Sequence, residues 1–182
     1  MIDEVARRAG VAFDVAPGGA EALVAKWRAP LDPVWLAKPL TFMNLSGEAI
    51  GALARYFKIE VGDVLVVADD VDLPLGRLRA RARGSAGTHN GFKSVVQHLG
   101  TEWPRLRVGV GRGDRRRDLA DRVLATFDRD ERPVIEAAIT RAADAVDTFV
   151  AEGIEAVMNR FNAAAAEERS EENEADTKDS QA

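Results

Sequence analysis

The chain reads as one α/β domain built on a mixed, mostly parallel twisted sheet with helices on both faces. Two observations predict this. Short apolar runs bounded by turn residues, such as Val34-Trp35-Leu36-Ala37 and Val64-Leu65-Val66-Val67, have the length of buried strands. Between such runs lie segments whose apolar residues recur at helical spacing. At 182 residues and 46% hydrophobic content, the chain suits a single domain with a substantial core.

The elements follow in order. Residues 2–9 carry Ile2, Val5 and Ala6 on one helical face and stop at Gly10. The run 34–37 is a strand that leads through Lys38-Pro39 into the loop 40–47. A helix with Ile50, Leu53, Ala54 and Phe57 on one face comes next, with Ser46 as its expected N-cap. The strand 64–68 follows, with Asp69, Asp70 and Asp72 directly behind it. Residues 77–83 alternate Arg with Leu or Ala, so Arg77, Arg79, Arg81 and Arg83 share one strand face. A Gly-rich loop, 84–91, opens a helix with Phe92, Val95, Val96 and Leu99 on its buried side. Residues 105–111 form another strand, followed by a basic loop from Arg112 to Arg117 and a short helix near Leu119–Leu124. A long helix after Pro133 carries Ile135, Ile139, Ala142, Val146 and Phe149 as its stripe, and a last turn over 154–161 closes the domain.

Residues 1–162 are the expected folded domain, and residues 163–182 an expected disordered acidic tail. That tail holds seven acids against two bases and lacks any large apolar residue. It accounts for the whole net charge of −5, so the body is formally neutral. The absence of cysteine excludes disulfides, zinc–thiolate sites and thiol nucleophiles, and fits a reducing cytoplasm. No apolar run approaches membrane-spanning length, and the N-terminus lacks a signal-peptide pattern.

Ligands in open α/β sheets bind beyond the carboxyl ends of the strands, where Asp69, Asp70 and Asp72 are expected. One of them orients and charges an imidazole or binds a metal; alternatively they cap turns, with Asp72-Leu73-Pro74 as ordinary turn chemistry. Asn44, in the apolar Phe42-Met43-Asn44 loop, offers an amide donor and acceptor to a ligand or serves a tight turn. The loop 84–91 lacks the P-loop and G-x-G-x-x-G patterns, which argues against nucleotide binding. Four arginines on one strand face either protect an edge or bind phosphates; clustered arginines in a neutral body favour phosphates. Of the two histidines, His98 reads as structural near a helix end. His89 lies in the Gly-rich loop beside Asn90, where it either faces the site as a general base or is kept neutral by a helix N-terminus that depresses its pKa.

Together these stretches resemble the bacterial-type peptidyl-tRNA hydrolase family. The resemblance is carried by residues 38–47 (KPLTFMNLSG), 69–76 (DDVDLPLG), 84–91 (GSAGTHNG), 105–111 (RLRVGVG), Val123-Leu124 and the closing Met158-Asn159-Arg160-Phe161. It implies hydrolysis of the ester between a peptide and the terminal ribose of tRNA, which recycles tRNA after premature release from the ribosome. A histidine would activate water, with Asp69 holding and charge-stabilising that imidazole. Phe42, Asn44 and Asn90 would bind substrate, and Arg81 and Arg107 would contact tRNA phosphates. The implied enzyme is a cytoplasmic monomer whose partner is the acceptor end of peptidyl-tRNA, with no metal, cofactor or membrane involved.

The family pattern begins with a strand ending in Gly-Asn-Pro-Gly, then a tyrosine and Arg-His-Asn, ahead of the helix that here is residues 2–9. Those residues do not occur in this chain, and Thr88 stands at a family glycine position. The expectation is a start that lies upstream and restores the histidine. The alternatives are a non-catalytic tRNA-binding relative and recruitment of His89 as base. Without the first strand the sheet is expected to expose an edge and to be poorly stable.

Overall fold

A computed structural model describes residues 1–30, 32–112 and 126–162. The expected short helix near 119–124, Val123-Leu124, most of the basic loop and the acidic tail lie outside the described residues. The order is α1 (Ile2–Ala9), β1 (Asp14–Val15), β2 (Ala22–Arg28), β3 (Pro33–Pro39), α2 (Ser46–Phe57), β4 (Val66–Asp70), β5 (Leu78–Arg81), α3 (Asn90–Leu99), β6 (Arg105–Gly109), α4 (Glu131–Glu152) and α5 (Ile154–Phe161).

The class is α/β with helices on both faces, but the sheet is in two pieces. One has the order β1-β2-β3 and is antiparallel throughout; the other has the order β4-β6-β5. Among the described residues only β4 and β6 run parallel, in the register Ala68 opposite Arg107, while β5 and β6 are antiparallel. The expectation of a mostly parallel sheet is therefore corrected in its pairing. The reason is the meander over residues 14–39, which adds two antiparallel ladders that need only short connections.

Both pieces lie between the same two helix layers. On one face α2 packs over the first sheet, with Ala49 and Leu53 against Val24, and α3 packs over the second, with Phe92 and Val95 near Val66 and Ala68. The two helices meet closely: a Cβ at Gly47 would lie 2.1 Å from the Ser94 carbonyl oxygen, and the Gly47 N–H donates to Ser94 Oγ at 2.9 Å. On the other face α1 and α4 bury Val5, Ala6, Ala143 and Val146 against Ala25 and Leu36. Further along, α4 and α5 cover Leu78, Ala80, Leu106 and Val108.

Gly10 closes α1 in the left-handed conformation, as its sequence position requires. Ser46 is not the N-cap of α2. Leu45 holds that position, and Ser46, the first helical residue, donates its hydroxyl to the Met43 carbonyl at 2.9 Å. A single 3₁₀ turn over Met43–Leu45 runs directly into the helix and displaces the cap by one residue.

Candidate active site

Strand β4 runs through Asp69 to Asp70, so the first two carboxylates belong to the strand itself. Alternation along a strand then separates them. Asp70 shares the face of Ala68 and Arg107. It is buried, and its Oδ2 accepts from Arg107 Nη1 at 2.9 Å while its Oδ1 accepts from the Asp72 N–H at 2.8 Å. Asp72 is exposed and accepts two hydrogen bonds from Arg112, at 2.5 and 3.1 Å. Asp69 points away from Arg107 and lines a large cleft. Among the described residues no hydrogen bond or ion pair engages its carboxylate, and it is half-buried. Of the three acids, Asp69 alone has its charge uncommitted.

The rim of the cleft near Asp69 is formed by Thr41, Met43, His89 and Gly91. Two loops therefore meet here, the Phe-Met-Asn turn and the Gly-rich loop at the start of α3. Gly91 permits their approach: a Cβ there would sit 2.6 Å from Met43 Sδ and 3.0 Å from His89 Cε1. The Thr41 hydroxyl is buried and has no hydrogen-bond partner among the described residues. Phe42, 80% exposed, and Asn44 flank Met43 on the outer rim, and Asn90 stands exposed beside His89. Asp69 lines the cleft, whereas Phe42, Asn44 and Asn90 do not line it but adjoin in sequence the lining residues Met43, His89 and Gly91. Lys93 Nζ donates to Asn90 Oδ1 at 3.3 Å.

His89 is the N-cap of α3, and its Nδ1 accepts from the Phe92 N–H at 3.1 Å. Its ring lies tilted on Phe92, with centroids 4.4 Å apart. Burial pushes its pKa below the usual histidine value, Asp69 pulls it up, and Arg107 pushes it down. The ring is therefore neutral, with its proton on Nε2 and its one lone pair engaged at Nδ1. Such a ring can donate but cannot take a proton from water. His98 Nδ1 lies 2.9 Å from the Ser94 carbonyl one turn back, against the α2–α3 crossing.

Arg81 and Arg107 lie away from the cleft, on a basic face made by two neighbouring strands. Arg79 stands opposite Arg107 and Arg81 opposite Arg105, and residues opposite each other share a face. Arg79 and Arg81 are exposed, and Arg83, beyond the strand, donates to Glu102 at 3.4 Å. Arg107 is half-buried, paired with Asp70 and 5.0 Å from the Phe92 ring centroid.

Sequence reasoning missed Arg105. It is 1% exposed and stacks on Trp103, 3.5 Å from the ring centroid. Its fork donates to the Ser85 carbonyl at 2.9 Å and the Thr101 carbonyl at 3.2 Å. Burial, and then Arg107, lower its pKa to about 10. Arg105 ties the Gly-rich loop to the sheet. The signal was an arginine opening a strand two residues after a tryptophan, Trp103-Pro104-Arg105.

An uncommitted carboxylate at the end of an α/β strand, on the wall of a large cleft, stands where open α/β sheets place their ligand sites. The comparisons give the family. The model of the peptidyl-tRNA hydrolase family matches residues 1–171, and the chain belongs to that family of hydrolases. It is 48% identical over 165 residues to a peptidyl-tRNA hydrolase of Symbiobacterium thermophilum, covering 89% of this chain and 86% of that one. A peptidyl-tRNA hydrolase of Geobacillus kaustophilus is 43% identical, with 89% and 87% covered. A crystal structure of the peptidyl-tRNA hydrolase from Acinetobacter baumannii superposes with a TM-score of 0.81 at 27% identity, covering 89% of this chain and 82% of that one. Among the described residues no helix is long and apolar enough to cross a membrane, and no group of three or more His, Cys, Asp or Glu side chains is placed to hold a metal.

Proposed function

We propose that the site hydrolyses the ester joining a peptide to the terminal ribose of tRNA, and so returns free tRNA to translation. The family match over nearly the whole chain carries this reading. As the family resemblance implies the reaction, water loses a proton to the histidine of an Arg-His-Asn segment that these 182 residues do not contain, and the oxygen attacks the ester carbonyl. The carbonyl–ribose bond then breaks, and the proton goes to the departing ribose oxygen. Asp69 is the catalytic carboxylate that orients this imidazole and stabilises its protonated form, a role supported by its free charge at the rim of the cleft. His89 has its lone pair engaged and His98 sits in a helix crossing, so the reading assigns the base to neither. Phe42 and Asn44 take the substrate on one side and Asn90 on the other. Arg81 and Arg107 lie on the path of the tRNA phosphates, where each phosphate contact adds salt-dependent affinity. The protein acts as a cytoplasmic monomer on the acceptor end of peptidyl-tRNA.

The commitment of both histidines favours a second reading, in which these 182 residues hold the acceptor end and turn it over only when a base is supplied. The discriminating experiment follows release of an N-acetylated aminoacyl group from tRNA, with tRNA binding measured in parallel. Turnover that is lost in Asp69→Ala with binding retained supports the first reading. Binding with no turnover in either protein leaves the second.

A further inference from the structure

Arg105 is the most deeply buried charged side chain among the described residues. No carboxylate among them pairs with it. Its surroundings are aromatic: the Trp103 ring centroid lies 3.5 Å from the guanidinium carbon and the Phe92 centroid 5.6 Å away. Its Nε is buried without a hydrogen-bond partner. A buried cation without a counter-ion is unfavourable, and an apolar chain of similar volume packs against such rings as well or better.

What the guanidinium can do, and an apolar chain cannot, is hold carbonyls. Nη1 donates to Ser85 at 2.9 Å, and Nη2 to Thr101 at 3.2 Å and Trp103 at 3.4 Å. Ser85 lies ahead of α3 and Thr101 behind it, so one planar fork joins the entry and the exit of the loop–helix unit. The Gly84 N–H closes the same neck by donating to the Thr101 carbonyl at 3.1 Å. From there the chain passes the buried Ala86 and Gly87, left-handed at φ 60°, to reach His89 and Asn90 at the start of α3. The Phe92 ring, packed near Arg105, is also 4.4 Å from the ring of His89, the residue before Asn90.

We propose that Arg105 is a positioning residue for the substrate. It fixes the entry of α3 on the sheet, and with it the place of the Asn90 amide, without touching tRNA. The proposal rests on the reading of Asn90 as a substrate-binding residue. Burial keeps Arg105 from any phosphate, which separates it from the exposed Arg81 and the half-buried Arg107. Ser85 and Thr101 are exposed, so water replaces the guanidinium at their carbonyls when the fork is removed. Loss of Arg105 therefore weakens the hold on the acceptor end more than it weakens the fold.

The test measures binding of deacylated tRNA, intact or lacking its 3′-terminal nucleotides, to the 182-residue chain and to Asn90→Ala, Arg105→Met and Arg105→Lys. Asn90→Ala is expected to weaken binding of the intact tRNA about three- to tenfold, the worth of about one hydrogen bond, and to leave the shortened tRNA unaffected. Both Arg105 variants should show the same split, because lysine keeps the charge but offers no fork to span two carbonyls. The salt dependence should stay that of the parent, since each lost phosphate contact would lower its slope by about one. Arg105→Met should unfold in urea at or above the parent's midpoint, with amides of residues 86–92 exchanging at least about tenfold faster. Adding Asn90→Ala to Arg105→Met should cost no further affinity. If Arg105→Met does not fold, Arg105→Lys carries the same comparison. Equal weakening of both tRNAs, or a shallower salt slope, overturns the proposal in favour of a phosphate role. Lower stability with the split absent overturns it in favour of a structural one. If Asn90→Ala weakens neither tRNA, the reading of Asn90 falls and the proposal with it. If Asn90→Ala weakens the intact tRNA and the Arg105 variants do not, the proposal alone falls.

Discussion

The two halves of the sheet differ in how they are made and in what they carry. The β1–β3 meander is antiparallel, joined by short turns, and its buried side chains are Ala22, Val24, Ala25 and Leu36. Of the cleft-lining residues in its strands only Lys38 is charged, and it pairs with Asp3. The β4–β6–β5 piece contains the one parallel pair among the described residues and carries Asp69, Asp70, Arg81, Arg105 and Arg107. Parallel pairing sets the carboxyl ends of β4 and β6 side by side, so charges leaving both strands converge. The lesson lies in the neighbours Asp69 and Asp70. One step along a strand turns a free carboxylate on a cleft into a buried ion pair.

The strongest way to break that distinction is to remove each carboxylate. Asp69→Ala is expected to lower ester hydrolysis by about 10²–10⁴ with tRNA affinity within about twofold. Asp70→Ala would instead leave Arg107 half-buried and unpaired, and destabilise the fold by about 3–5 kcal/mol. Hydrolysis rates beside denaturant midpoints decide this. If Asp69→Ala loses stability and Asp70→Ala loses only turnover, the assignment is reversed.

The two sheets can be compared through their cores. Leu106 in β6 is fully buried, and Leu36 in β3 nearly so. Each change to Ala is expected to cost about 2–5 kcal/mol. Leu106 sits inside a closed layer, whereas Leu36 lies on the strand that walls the cleft. Leu106→Ala should therefore fall near the top of that range and Leu36→Ala near the bottom, as read by urea unfolding. Equal losses would mean that the cleft does not loosen its walls.

Much of this was legible beforehand, for reasons that particular residues make plain. The stripes of α2, α3 and α4 have helical period and bury Leu53, Phe92 and Val146 as spaced. Asp69 was placed by the turn residues that end an apolar strand. The meander was not read, because Ala22–Arg28 has no clean alternation: Val24 and Ala25 are both buried, and its other core residue is another alanine. Spacing alone did not divide Asp69 from Asp70; the family resemblance singled out Asp69, and the physical difference between them lies in the strand, whose last pair sets Asp70 opposite Gly109. Arg105 stayed hidden because its partners are backbone carbonyls, which carry no sequence signature.

His89 sharpens the site comparison with a smaller effect. Its Nδ1 caps α3, so His89→Ala is expected to cost about 1 kcal/mol and His89→Asn much less. Neither should change hydrolysis more than a few-fold. Its pKa in the fold lies below the unfolded value, so the unfolded chain protonates first as pH falls through about 6.5. Stability from this residue is present above that pH and declines below it. An imidazole titration by NMR that places His89 above the ordinary histidine value would contradict both the neutral ring and the cap.

The smallest expected effect tests the helix that opens onto the cleft. Glu4 accepts from Arg7 and Arg8, and Arg8 also reaches Asp144 at 2.7 Å and Asp147 at 3.0 Å on α4. Hydrogen bonds from Arg7 and then Arg8 lower the Glu4 pKa to about 2. A carboxylate with a depressed pKa stabilises the fold above its unfolded value and loses that contribution as pH falls through the folded one. Glu4→Gln should therefore melt slightly below the parent at pH 7, and the difference should shrink between about pH 4.5 and 2. Because these groups face solvent, added salt should shrink it as well. The effect should also stay in α1, where exchange of the Val5 and Ala6 amides would quicken while those of β5 and β6 hold. Faster exchange in both sheets would show that α1 clamps the two halves together across the cleft and does more than wall one end of it.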